Sequence, residues 1–155
     1  MKEVIVLVLF GVVTAAVNGD CGDGFIRYHE FCYHFSHDRE TWIDAKSVCN
    51  TLLDGRLAEI TDPAAYRFLA QEIVKLNTDF WIGADDILLE GEWKWVSSGD
   101  PVLNASAQNK IFLSNSGGNE NCLEFHHSTN WNDEACSHAQ RYICQKTSEP
   151  AEIVG

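Results

Sequence analysis

The oxygen donors of this chain crowd around its last three cysteines. Asn119-Glu120-Asn121-Cys122-Leu123-Glu124-Phe125 is followed by Trp131-Asn132-Asp133, then by Cys136 and Cys144. Carboxylate and amide oxygens at this density suit a hard cation such as calcium, which takes roughly 6–8 oxygens from carboxylates, amides, carbonyls and water. A loop anchored by disulfides would hold such donors still. The expectation is a secreted binding module that uses a metal, and the elements that would position these residues can be read against it.

The compartment comes from the N-terminus and the cysteines. Lys2 opens an apolar run at residues 4–13 broken only by Gly11, and small residues follow at Ala15, Ala16 and Gly19. This is the layout of a secretory signal over residues 1–19, and the run is too short for a membrane span of ~20 apolar residues. With no second run of spanning length, no membrane insertion is expected. The remainder, about 135 residues, is enough for one packed core. Six cysteines follow the signal, at 21, 32, 49, 122, 136 and 144. An even count in a secreted chain reads as three disulfides, although spacing alone leaves ~15 pairings open. The net charge of −12 repels phosphate backbones, and the basic residues form no stripe, so nucleic acid is excluded as a partner.

Along the chain, Phe25 to Phe35 reads as two short strands around a turn at His29-Glu30. Thr41 caps a first helix, with Asp44 three residues on in the manner of a capping box. Its core face is Trp42, Ala45, Val48, Cys49 and Leu52. Asp62-Pro63 opens a second helix, Asp as N-cap and Pro in the first turn, with a stripe of Ala65, Phe68, Leu69, Ile73 and Leu76. Phe80-Trp81-Ile82-Gly83 and Trp93-Lys94-Trp95-Val96 read as strands, as do Leu123–Phe125 and Tyr142–Cys144. Trp81, Trp93 and Trp95 are assigned to the core. Between them residues 97–121 are rich in Ser, Asn and Gly, a loop length that in a compact domain points to function or disorder. Domain limits are residues 20–147, with a tail at 148–155.

These blocks together resemble the C-type lectin domain family, in its long form and in the secreted, single-domain, perlucin-like or similar invertebrate type. The resemblance is carried by CYHFS at 32–36, TWIDAKSVC at 41–49, GRLAEI at 55–60, FWIGADD at 80–86, EGEWKW at 90–95, ENCLEF, WND and YICQK at 142–146. It implies an α+β fold, two helices packed on small antiparallel sheets with a long binding loop and three disulfides. The implied pairing is Cys49–Cys144 and Cys122–Cys136, with Cys21–Cys32 marking the long form.

For function, the resemblance implies calcium-dependent carbohydrate binding. In sugar-binding members one calcium is held by a Glu-Pro-Asn or Gln-Pro-Asp triplet in the long loop, by a Glu just before a cysteine and by the Asn-Asp of WND, and two sugar hydroxyls complete its sphere. Glu120, Asn132 and Asp133 match the second half of that set and are the carbohydrate-binding and metal candidates. The triplet is absent. Its place falls near Lys110-Ile111-Phe112 or Phe112-Leu113-Ser114, and the nearest substitutes, Gln108-Asn109 and Ser114-Asn115, lack proline. Counting the Asp133 carbonyl, about four protein oxygens remain against the roughly 6–8 that calcium takes, so calcium is expected to bind weakly, in the millimolar range of some extracellular modules. A second, structural calcium position matches Asp86 and Glu90, with Glu120 shared and Asn121 standing where an Asp is common.

Asp85-Asp86 also reads as a plain turn, and Trp131 as packing rather than sugar stacking. His126-His127 with His138 offer imidazoles to a transition metal, against the plainer reading of solvated side chains. Asn104-Ala105-Ser106 is a glycosylation sequon. Ile111-Phe112-Leu113 either packs the long loop down or presents an apolar contact. No Ser or Cys nucleophile sits in a recognisable motif, so no enzyme is expected. The expectation is a secreted, extracellular lectin that takes glycans as partners and homo-oligomerises, in glycan recognition of the innate-immune kind. The alternative is a lectin-like domain without sugar binding that recognises a protein or mineral surface.

Overall fold

The computed structural model describes residues 21–102, the backbone of 111–112, and residues 119–148. The signal at 1–19, the Asn104 sequon, Gln108-Asn109, Leu113, Ser114-Asn115 and most of the tail lie outside the described residues. In chain order the elements are β1 (Ile26–Tyr28), β2 (Phe31–Phe35), α1 (Trp42–Thr51), β3 (Arg56–Leu57), α2 (Pro63–Leu76) and β4 (Phe80–Asp85). There follow β5 (Lys94–Trp95), β6 (Ile111–Phe112), β7 (Cys122–Phe125), β8 (Trp131–Glu134) and β9 (Arg141–Thr147). No helix among the described residues is long and apolar enough to cross a membrane.

Both helices start where their caps require. The Thr41 hydroxyl accepts from the Asp44 N–H at 3.3 Å and donates to the Asp44 carboxylate at 2.6 Å, closing the N-terminus from both sides. Asp62 accepts from the Ala65 N–H at 2.9 Å, and Asn77 ends α2 in the left-handed region at φ 48°, a conformation Asn tolerates better than most residues. Two expectations at the helix ends fail. Leu52 is the C-cap of α1 and is 76% exposed, and Leu76, in the last turn of α2, is also exposed. At a terminus the neighbouring turn that would complete the stripe is missing, so periodicity overstates burial there.

The strands join in the order β1-β2-β9-β4-β7-β8-β6, with β3 on β9 and β5 on β4. Most ladders are antiparallel, as the family pattern implies, but β4 runs parallel to β9 and β6 parallel to β8. Parallel pairing needs a long connection, and both pairs have one. β4 is buried on both faces, and its alternation divides the core. Phe80, Ile82 and Ala84 join Leu69 and Ile73 of α2, while Trp81 joins Trp42 and Cys49 of α1. The tryptophans also tie elements by hydrogen bonds, Trp42 Nε1 to the Ile82 carbonyl at 2.9 Å and Trp81 Nε1 to the Glu40 carbonyl at 3.1 Å. Trp93 and Trp95 are buried as expected.

All six cysteines are paired, as Cys21–Cys32, Cys49–Cys144 and Cys122–Cys136. The first staples the β1–β2 hairpin, whose turn places His29 at φ 53°. The second ties α1 to β9, and the third spans the β7–β8 hairpin.

Gly83 lets β3 approach β4. A Cβ there would lie 2.7 Å from the Leu57 carbonyl oxygen, so Gly83→Ala is expected to cost about 1–3 kcal/mol as overpacking. A urea titration checks this. An unchanged midpoint would mean that the two strands part without cost.

Candidate functional site

The site is built on the β7–β8 hairpin, whose register places Glu124 opposite Asn132 and Leu123 opposite Asp133. Side chains of directly opposed residues share a face, and successive residues alternate. Asp133 therefore turns in with Leu123 and is only 2% exposed. Asn132, Glu124 and Glu134 turn outward into a cleft of about 410 Å³, lined also by Asp79, His126, Asn130, His138 and Gln140. WND itself is the strand β8, which sequence patterning did not suggest. Trp131 is buried, its ring edge-on to Trp95 at 5.6 Å, so packing is its role.

Asn132 is held firmly. Its Nδ2 donates to Glu124 Oε1 at 3.1 Å and to the Asp133 carbonyl at 2.7 Å. With the amide nitrogen committed, Oδ1 is the atom available to a cation. Glu124 is 4% exposed, and burial pushes its carboxyl up to about 7, the charges of Asp79 and Glu134 adding to the shift and the hydrogen bond from Asn132 opposing it. Because the folded pKa lies above the ordinary 4.5, the fold holds the proton more tightly than the unfolded chain does. Stability is thus full below about pH 4.5 and declines as pH rises through about 7, by on the order of 2–3 kcal/mol at complete ionisation. In a chelator, Glu124→Gln is expected to be more stable than the unmutated chain at pH 8 and equal to it near pH 4.5. A stability difference that does not change with pH would show that Glu124 titrates normally.

Glu120 is half-buried, two residues before Cys122. β6 runs beside β8 with Ile111 opposite Trp131 and Phe112 opposite Asn132. Two residue types without a side-chain oxygen, Ile111 and Phe112, therefore pair with the strand that carries Asn132.

The second cation position has a clearer signature. Asp86 is 3% exposed. Its Oδ2 accepts from the Gly91 N–H at 2.7 Å, and its own N–H donates to the Asn121 carbonyl at 3.3 Å. Asp86 Oδ1 and Asn121 Oδ1 are both shielded from solvent with no hydrogen-bond donor among the described residues. Buried oxygens without donors are uncommon and call for an explanation such as an ion. Each of the two oxygens is of the kind a calcium ion takes, and Asn121 lacks the charge of Asp. Glu90 lies exposed on the same turn. Asp85 accepts from the Ile87 N–H at 3.3 Å, the local turn bond that a plain reading expects. Burial raises its carboxyl above the usual range.

The histidines are grouped differently from the sequence expectation. His126 and His127 meet Asp79, at 3.7 and 2.8 Å, whereas His138 Nδ1 lies 3.6 Å from Glu134 Oε2. Glu124 lies in the donor-rich stretch read from sequence but has no assigned role there, and Asp79 is not among the sequence candidates. Alternation with Asn132 could have revealed Glu124, but Asp79 carries no local signal.

A long-form disulfide pattern, two helices and a WND strand beside a returning long loop define a C-type lectin domain. The chain belongs to that family, the Lectin C-type domain matching residues 38–146. It is 35% identical over 140 residues to a perlucin-like protein of Mytilus galloprovincialis, covering 86% of each chain. It is also 35% identical over 127 residues to the low affinity immunoglobulin epsilon Fc receptor of Mus musculus, covering 81% of this chain and 37% of the receptor. The carbohydrate-recognition domain of the mouse scavenger receptor C-type lectin has the same fold, with a TM-score of 0.75 at 28% identity, covering 84% of this chain and 100% of that one.

Proposed function

We propose that this protein is a secreted lectin that binds glycans through calcium, in recognition of the innate-immune kind. The observation that carries this reading is that Asp86 Oδ1 and Asn121 Oδ1 are buried without donors among the described residues, as oxygens that serve a cation would be. Membership of the family and the likeness to a carbohydrate-recognition domain support glycans as the ligand class. Glu120, Asn132 and Asp133 would hold the sugar-site calcium, with Asp86, Glu90 and Asn121 at the structural position. A bound calcium supplies coordination places for two sugar hydroxyls. The chain's own part is to orient Oδ1 of Asn132 and to present the outward face of β8.

Without the triplet, sugar hydroxyls gain coordination but few flanking hydrogen bonds, each worth ~0.5–1.5 kcal/mol net. Binding is then weak and broad across monosaccharides, and useful avidity comes from homo-oligomers or clustered targets. A glycan array with and without chelator tests this: broad signal lost on chelation is expected, and signal indifferent to calcium would overturn it. The second reading, recognition of a protein or mineral surface, is favoured by the missing triplet and by the pairing of Phe112, which has no side-chain oxygen, with Asn132. It predicts an array without signal at any calcium concentration.

A further inference from the structure

We propose that Asp79, His126 and His127 form a binding site for a divalent transition metal of the zinc class, separate from either calcium position. The sheet makes the site. Phe80 of β4 pairs with Phe125 of β7, so the residue before the one and the residues after the other meet at the same edge. One ligand atom from each of Asp79, His126 and His127 lies within 4.8 Å of the other two. Asp79 Oδ1 is 2.8 Å from His127 Nδ1 and 3.7 Å from His126 Nε2. Ligand atoms of a tetrahedral zinc with bonds of ~2.0–2.2 Å stand roughly 3.3–3.5 Å apart. The two distances straddle that value, so changes of a few tenths of an ångström would seat an ion.

The surroundings orient the ligands. The His127 backbone N–H donates to Asp79 Oδ1 at 2.7 Å, fixing the carboxylate. His126 Nδ1 lies 2.8 Å from Ser128 Oγ. Donation from Nδ1–H to that hydroxyl leaves the Nε2 lone pair facing Asp79, the arrangement that a hydrogen-bond partner on the far ring nitrogen gives metal-bound imidazoles. In the other tautomer Nδ1 accepts from the Ser128 N–H at 3.2 Å, a bond that metal binding at Nε2 exchanges for the shorter one to Oγ. The two imidazole centroids are 4.0 Å apart, and both rings converge on the one carboxylate. Imidazole nitrogen suits zinc, copper or nickel and not calcium, which selects oxygen. Three protein ligands leave a coordination position open. Asp79 and His126 also line the cleft of Asn132, so that position borders the proposed glycan face.

The test uses the full secreted chain with calcium in excess, so that the oxygen sites are filled. Zinc chloride is titrated by calorimetry, and cobalt(II) by its visible absorption. One saturable equivalent is expected, and His126→Ala or His127→Ala should each weaken it by at least ~10-fold, whereas His138→Ala leaves it unchanged. Retained calcium binding in the histidine variants reports that they fold. In the unmutated chain, bound cobalt should shift the ring protons of His126 and His127 and not those of His138. No saturable zinc binding, or zinc binding that survives the His126/His127 double variant, would overturn the proposal. Because calcium and zinc are read separately, failure here leaves the lectin reading intact, and the reverse also holds.

Discussion

Replacing Cys49 and Cys144 together by alanine is expected to destabilise the protein by about 2–5 kcal/mol, the largest effect among the three disulfides. The bridge joins residues 95 apart in sequence, against 11 and 14 for the others, and in the chain-entropy account the constraint on the unfolded chain grows with the logarithm of the loop. Its two sulfurs are also fully buried with Trp42, Trp81 and Tyr142, so truncation adds a packing loss. Urea unfolding of the double variant, alongside the Cys122/Cys136 double variant, measures the difference. Should the shorter bridge prove the more costly, local packing of the β7–β8 hairpin would outweigh loop closure.

The second large effect concerns calcium and rests on the lectin reading. Glu120→Ala should weaken calcium binding by on the order of tenfold or more, because affinity of oxygen sites follows the number of charged ligands. In the proposed reading Glu120 also serves both calcium positions. Asn132→Ala removes one neutral oxygen and should cost less. It also deprives Glu124 Oε1 of the Asn132 amide bond, so its effect on stability should exceed that of Glu120→Ala even as its effect on calcium is smaller. Calorimetry at millimolar calcium, paired with thermal unfolding in chelator, separates the two. Equal losses of affinity, or no calcium binding in the unmutated chain, would refute the assignment of Glu120.

What the sequence by itself determined is what acts over a few residues. The caps at Thr41 and Asp62 place both helix starts, since a side-chain oxygen can satisfy only amides two or three positions ahead. A continuous apolar run marks Trp81 as core, and alternation marks Trp93 and Trp95, for the same local reason, and the family resemblance carries the disulfide pairing and the fold. The tertiary structure alone decided the rest. Leu52 and Leu76 are exposed because burial at a helix end depends on what packs beyond it. The parallel ladders of β4 on β9 and β6 on β8 bring together segments whose local patterns hold no record of one another. Asp79 meets His126 and His127 across 47 and 48 residues through the register of β4 on β7. Glu124 acquires its raised pKa only once folding buries it and brings Asp79 and Glu134 near. Side-chain identity is local, but desolvation, strand register and convergence of ligands are properties of chain segments that meet only when the whole domain folds.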